Sequence, residues 1–327
     1  PETNPDYAEW PVEFGAPVDE QGNPQIFGDQ TLWCTFTDAY DSNRWFNSSP
    51  PLKAEIHLTV WGWQEIDNVV FLHWDIINMS ENEWRDAYVG IFVDPDVGDA
   101  QDDLVGSDST LNMVYCYEST IREFEKTLQT IGYQFLATPT QPSPEDTAVT
   151  FRGMKPGYKN VPASSPLIFK HGPWEWSENV FYPGDKNVNI LIYDRLNCLD
   201  KNGNPMIDPE TGKVSRWGFS GDPITSSGWL DPVPHDRRML IAAGPFDLAP
   251  LDTNGVTLAI IPVQSDKRLS CIFNLKQQAA ALTSAFKSEA GIYIPRILAS
   301  VEDSVVSFPV EMINTNEIIK IELTLVY

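Results

Sequence analysis

The chain has 327 residues, 42% of them hydrophobic, with 11 Trp, 11 Tyr and 16 Phe, enough apolar material for two domains or one large β-rich domain. Its 46 acidic residues against 22 lysines and arginines leave a formal charge of −24. That sign argues against nucleic acid and anionic membrane surfaces as partners, because attraction to phosphate would be reversed. No apolar run approaches a bilayer-spanning length of about 18 residues. The balance fits a soluble protein in an extracellular, salt- and calcium-rich setting. The start at Pro1, with no initiator Met and no signal-like run, reads as that of a processed or truncated piece.

Residues 1–30 are rich in Pro, Gly, Asn and acid and read as an extended N-terminal arm. Strand signals follow in series over a β-rich main body, residues 31–299. Residues 31–37 alternate, and 54–63 alternate more clearly, with Ile56, Leu58 and Val60 on one face and Trp61 and Trp63 sharing the other. Residues 68–78 and 88–93 continue the series. Residues 138–166, dense in Pro, Ser and Thr, read as an irregular surface loop, and 187–193 as another strand. Asp19-Glu-Gln-Gly-Asn-Pro24 and Asp200-Lys-Asn-Gly-Asn-Pro205 resemble each other, and both read as tight turns between extended segments. Residues 239–243 and 256–263 are further strands. Period-two segments separated by turns predict an antiparallel β-sandwich-type body, not a βαβ fold.

One long helix is predicted from about Asp266 to Glu289, where Leu269, Ile272, Phe273, Ala279, Leu282 and Phe286 recur at helical spacing. Ser265 or Asp266 is its expected cap, and Gly291 lies past its end. Residues 300–327 then hold a strand pair, 305–313 and 317–327, around Asn314-Thr-Asn316. Two strands alone are marginal in water. They pair with the body, open a further immunoglobulin- or cohesin-like module, or complete a neighbour's sheet by strand addition.

The most informative segment runs from Asp94 to Asp108. Asp94, Asp96, Asp99, Asp102, Asp103 and Asp108 stand within fifteen residues with no Lys or Arg among them. Carboxylates held that close repel unless a cation sits between them, and calcium takes about six to eight oxygens, largely from Asp, Asn and main-chain carbonyls. Gly98 and Gly106 would let the backbone turn around such an ion. Calcium is the expected cofactor, with Asp94, Asp96, Asp99 and Asp102 the leading ligands; a solvated acidic loop is the alternative. Asp200, Asn202, Asn204 and Asp208 form a second, weaker candidate that begins like an EF-hand loop. Pro205 stands where that motif needs Gly, and Thr211 where it needs a bidentate Glu, so an ordinary turn is favoured.

Cys34, Cys116, Cys198 and Cys271 form no CxxC pair, which argues against zinc. They permit two disulfides in an oxidising compartment, with buried free thiols the alternative. No GxSxG elbow, HExxH or phosphate-binding GxxxxGK[ST] occurs. His57, His73, His171 and His235 lie far apart in sequence, and with this many acids a carboxylate pair at glycosidase spacing would arise by chance. His171, Trp174, Trp176 and Tyr182 cluster with Phe181 and form a candidate glycan-stacking surface, against which stands ordinary core packing of aromatic rings.

Several phrases together carry a resemblance: residues 28–33, Asp102-Asp-Leu-Val-Gly-Ser-Asp108 and on through Tyr117, residues 221–229, and Asp236-Arg-Arg-Met-Leu-Ile-Ala-Ala-Gly-Pro-Phe-Asp-Leu-Ala-Pro250. The chain resembles a loosely characterised group of large secreted, multi-module surface proteins of Bacteroidota- and Ignavibacteria-like bacteria associated with type IX secretion. The resemblance implies a cell-surface location and brings no established enzymatic activity with it. In that group Cys often stands at the position of Ser107, so the departure here puts a disulfide of Cys116 in doubt. The expectation is a non-catalytic, calcium-stabilised adhesion or extracellular assembly protein. Its partners would be further copies or other surface proteins, reached by strand addition through 305–327. A carbohydrate-binding module or glycan-processing enzyme, and a filament subunit, are the alternatives.

Overall fold

The computed structural model describes residues 4–40, 50–64, 66, 68–120, 127–166, 187–200 and 202–287, with the backbone of three strands between 291 and 326. Strands β1 (Gln30–Thr37), β2 (Ala54–Gly62), β3 (Val70–Asn78), β4 (Trp84–Val93), β5 (Asp103–Asp108), β6 (Met113–Glu118) and β7 (Leu128–Ala137) come first. A hairpin of β8 (Thr140–Thr150) and β9 (Gly153–Asn160) follows, then β10 (Ala163–Ser164), β11 (Met239–Leu248) and β12 (Thr253–Ser265). The helices are α1 (Pro5–Ala8), α2 (Asn187–Leu196) and α3 (Arg268–Phe286).

The expected mainly-β, antiparallel sandwich with one long packed helix is what forms. Seven strands make the main sheet, in the order β1-β2-β3-β12-β7-β6-β5, and β10-β11-β4 make a second, smaller sheet. Alternation along the strands sorts the side chains. Val114, Cys116, Val256 and Leu258 face the small sheet, where Ile241, Ala243, Val89 and Ile91 meet them. Met113, Tyr115, Tyr117, Ala259 and Ile261 face the other way, against Ile272, Leu275 and Ala279 of α3. The main sheet is thus the middle layer of three, which is why every residue of β6 is buried.

Four local expectations are corrected. Residues 140–160 are a two-stranded hairpin, not an irregular loop. Its prolines fall at an edge and beside a register break between Pro142 and Thr147, where a missing N–H costs no ladder bond. Residues 187–193 belong to helix α2, not to a strand, because a short apolar run does not choose its period until it packs. Here Tyr193 lies edge-on to Tyr88 of β4, and the Leu196 side chain fills the space over Gly90. On α3, Leu269 and Phe273 are exposed, and the buried face runs through Cys271, Ile272, Leu275 and Ala279. The cap position falls on Lys267, and Ser265 is the last residue of β12, so neither Ser265 nor Asp266 caps the helix.

The N-terminal arm is more structured than an extended segment. It carries α1, a 3-10 turn at Val12–Phe14 and a hairpin turn at 19–23, and Phe27 packs on Trp61 and Phe151. At the other end, β14 (Val305–Asn314) and β15 (Glu317–Val326) pair as expected, and β13 (Gly291–Tyr293) adds a third strand, so this sheet begins before residue 300. All four cysteines are free thiols; Cys116, Cys198 and Cys271 are buried and Cys34 is exposed. Among the described residues no helix is long and apolar enough to cross a membrane.

Candidate metal centre

The six aspartates of 94–108 do not converge on one point. β4 ends at Val93, and the chain leaves it through Asp94-Pro-Asp96. Paired with Val93 is Met239, the first residue of β11, and just before it stands Asp236. The strand pairing therefore brings acids far apart in sequence to one end of the small sheet. Carboxylate oxygens of Asp94, Asp96 and Asp236 all lie within 4.8 Å of one another. Arg238 joins them, its Nε 3.1 Å from Asp94 and its Nη1 2.7 Å from Asp236. Partial burial and the neighbouring carboxylates of Asp96 and Asp236 raise the Asp94 carboxyl above its usual range, against the pull of Arg238.

The other four predicted ligands have separate employment. Asp99 caps the 3-10 turn Ala100–Asp102 by accepting from the Gln101 N–H. Asp102 accepts from the Thr120 hydroxyl through one oxygen, while its other oxygen is buried with no hydrogen-bond partner. Asp103 is fully buried; its Oδ2 accepts from Val97 N–H and its Oδ1 has no hydrogen-bond partner. Asp108 accepts from Thr110 and pairs with Lys276 of α3 at 3.2 Å. The two glycines serve packing: a Cβ on Gly98 would overlap the Glu118 carboxylate, and one on Gly106 the Tyr115 ring.

Asp200, Asn202, Asn204 and Asp208 sit in ordinary hairpin turns. The Asp200 carboxylate accepts the N–H groups of Asn202 and Asn204 at 2.8 and 2.9 Å. Those bonds, Asn204 first, hold its carboxyl below the usual range. Asp19 does the same for Gln21 and Asn23, so the two look-alike sequences fold alike. Asp208 accepts from the Glu210 N–H at 2.8 Å. His171, Trp174, Trp176 and Tyr182 lie outside the described residues.

The chain matches no protein-family model and no curated protein. The chemistry of the site therefore rests on its own residues. Three carboxylates against one guanidinium leave two surplus negative charges at the surface, the charge a divalent cation would balance. Their mutual spacing suits oxygens shared by one calcium ion, with water free to complete the coordination at exposed Asp94 and Asp96. The sequence singles out Asp94 and Asp96 as candidate ligands and does not point to Asp236 as their neighbour. Its only local sign is an acid placed just ahead of an apolar strand.

Proposed function

We propose that this chain is a non-catalytic body of a secreted bacterial surface protein, made rigid by calcium and used in adhesion or extracellular assembly. The convergence of Asp94, Asp96 and Asp236 carries this reading. A calcium ion held there would staple the exit of β4 to the entry of β11, and so lock one end of the small sheet against fraying. The residues that would hold it are those three; Arg238 would orient Asp94 and Asp236 from behind. The high net negative charge and the resemblance to type IX-associated surface proteins support the location.

Thermal melting of the full chain in calcium and in excess chelator tests the metal. Calcium is expected to raise the melting temperature of the wild type and not that of Asp96→Asn or Asp236→Asn. Identical melting in the two buffers sinks the calcium reading. Electron microscopy in calcium tests the role, with ordered oligomers or filaments expected and lone monomers counting against assembly.

A further inference from the structure

Strand β12 outruns one of its neighbours. It pairs with β3 as far as Ile260 opposite Val70, and with β7 on to Ser265 opposite Leu128. Past Ile260, helix α3 and the β2–β3 loop flank it, and a cleft of about 430 Å³ opens between the three. That size falls within the range of about 300–1,000 Å³ common for small-molecule sites. Helix α3 turns Ile272, Leu275 and Ala279 to the sheet, which leaves Asn274, Gln277 and Gln278 on its exposed flank.

Five of the seven residues that line this cleft carry primary amides: Asn68 from the loop, Gln264 from β12, and Asn274, Gln277 and Gln278 from α3. The other two, Pro262 and Val263, are apolar and half-buried. Although the chain holds 46 acidic residues, none of the described residues that line the cleft is charged. Gln264 is held in place by donating to the Thr127 hydroxyl. Among the described residues no hydrogen bond engages the side-chain amides of Asn68, Asn274, Gln277 or Gln278. Each of those amides therefore offers two N–H donors and a carbonyl acceptor to whatever enters.

We infer that this cleft binds a neutral oligosaccharide. A sugar hydroxyl is donor and acceptor at once, and so is a primary amide, so the two satisfy each other with no charge on either side. Pro262 and Val263 supply apolar contact for the C–H face of a pyranose ring. Phe273, 52% exposed and one helical turn before Gln277, adds an aromatic face beside them. A charged ligand finds no counter-ion in this lining, and an anionic one is repelled by a chain of net charge −24. A peptide needs apolar pockets for its side chains, and Pro262 with Val263 offers too little. The cleft shares no residue with the Asp94 group, so the inference goes beyond the calcium and assembly reading and does not rest on it.

An array of neutral and acidic oligosaccharides probed with the full chain tests this, followed by titration calorimetry with the strongest-binding neutral sugar in calcium and in chelator. Neutral sugars are expected to bind and sialylated or uronate-bearing ones not to, with an affinity that neither chelator nor salt changes. Asn274→Ala with Gln277→Ala is expected to weaken binding by about tenfold or more. Both positions are on the exposed face of α3, where alanine favours the helix, and circular dichroism checks that the fold is kept. If no neutral sugar binds, or if a displayed peptide library is captured through Asn274 and Gln277 instead, the proposal is overturned. A preference for acidic sugars overturns it too, as does binding that the two alanines leave intact. Binding lost on chelation with the fold unchanged would place the sugar at the Asp94 group, and so removes the cleft as its site.

Discussion

Arg152 grips Asp75 with two hydrogen bonds, Nη1 to Oδ1 at 3.0 Å and Nη2 to Oδ2 at 2.7 Å. Arg152 stands at the tip of the β8–β9 hairpin and Asp75 on β3 of the main sheet, so the pair fastens one to the other. Beside it Phe151 stacks on His73, with ring centroids 4.1 Å apart, and also meets Trp61 and Phe27. One hairpin tip thereby holds both the main sheet and the N-terminal segment.

The two contacts differ in worth. The Arg152 side chain is largely exposed, so Arg152→Ala is expected to cost about 1 kcal/mol or less. Phe151→Ala removes packing shared by three aromatic neighbours and is expected to cost about 2 kcal/mol. Urea denaturation of each variant measures this, and amide exchange at Val149 reports whether the hairpin alone has loosened.

Acid should act through Asp75. Burial pushes its carboxyl up, but hydrogen bonds from His73 and Arg152 outweigh that and hold it well below its usual 3.8. A depressed carboxyl contributes stability above the unfolded value and loses it as pH falls through the folded one. Stability is therefore expected to decline below pH 3.8, and Asp75→Asn to be weaker at neutrality with a shallower acid loss. Melting curves across that range decide the matter; equal slopes for the two proteins would rule it out.

Asp103 should act in the opposite sense. Burial carries its carboxyl from 3.8 up to about 7, against the Val97 N–H that favours the charged form. The fold favours the protonated form, so this group's contribution is full below 3.8 and lost as pH rises toward about 7. Asp103→Asn, assayed in chelator, is expected to match wild type in acid and exceed it above neutrality by up to about 4 kcal/mol, the equivalent of that shift.

Asp231 and Arg237 form a buried ion pair 2.6 Å apart, with side chains 0% and 4% exposed. Asp231 also accepts the outward N–H of Val105, so it seals the β5 edge as well as neutralising the arginine. Asp231→Ala removes the charge partner of a buried cation and is expected to cost about 3 kcal/mol or more. Replacing both residues with apolar ones of similar volume should cost less than the single change, as a double-mutant cycle by urea denaturation would show.

Turns and strands were legible wherever the signal was local. Asp19 and Asp200 head the same six-residue pattern and fold the same turn, because an aspartate accepting N–H groups two and four residues on needs nothing from elsewhere. Period-two alternation marked β1, β2, β3 and β12, and helical spacing marked α3. Where it misled, at 187–193 and 140–160, the apolar run was short or the prolines hid a pairing that tolerates them. That Asp236 joins Asp94 and Asp96 was not legible, because nothing near it in sequence tells of Asp94.

By itself, then, the sequence determined what the chain can do locally: where it turns, which faces are apolar, and that its acids crowd after β4. Tertiary structure alone decided which acids meet and what seals the β5 edge. Both depend on strands far apart in sequence coming side by side. The β4–β11 pairing gathers Asp94, Asp96 and Asp236, while the 218–237 segment covers β5.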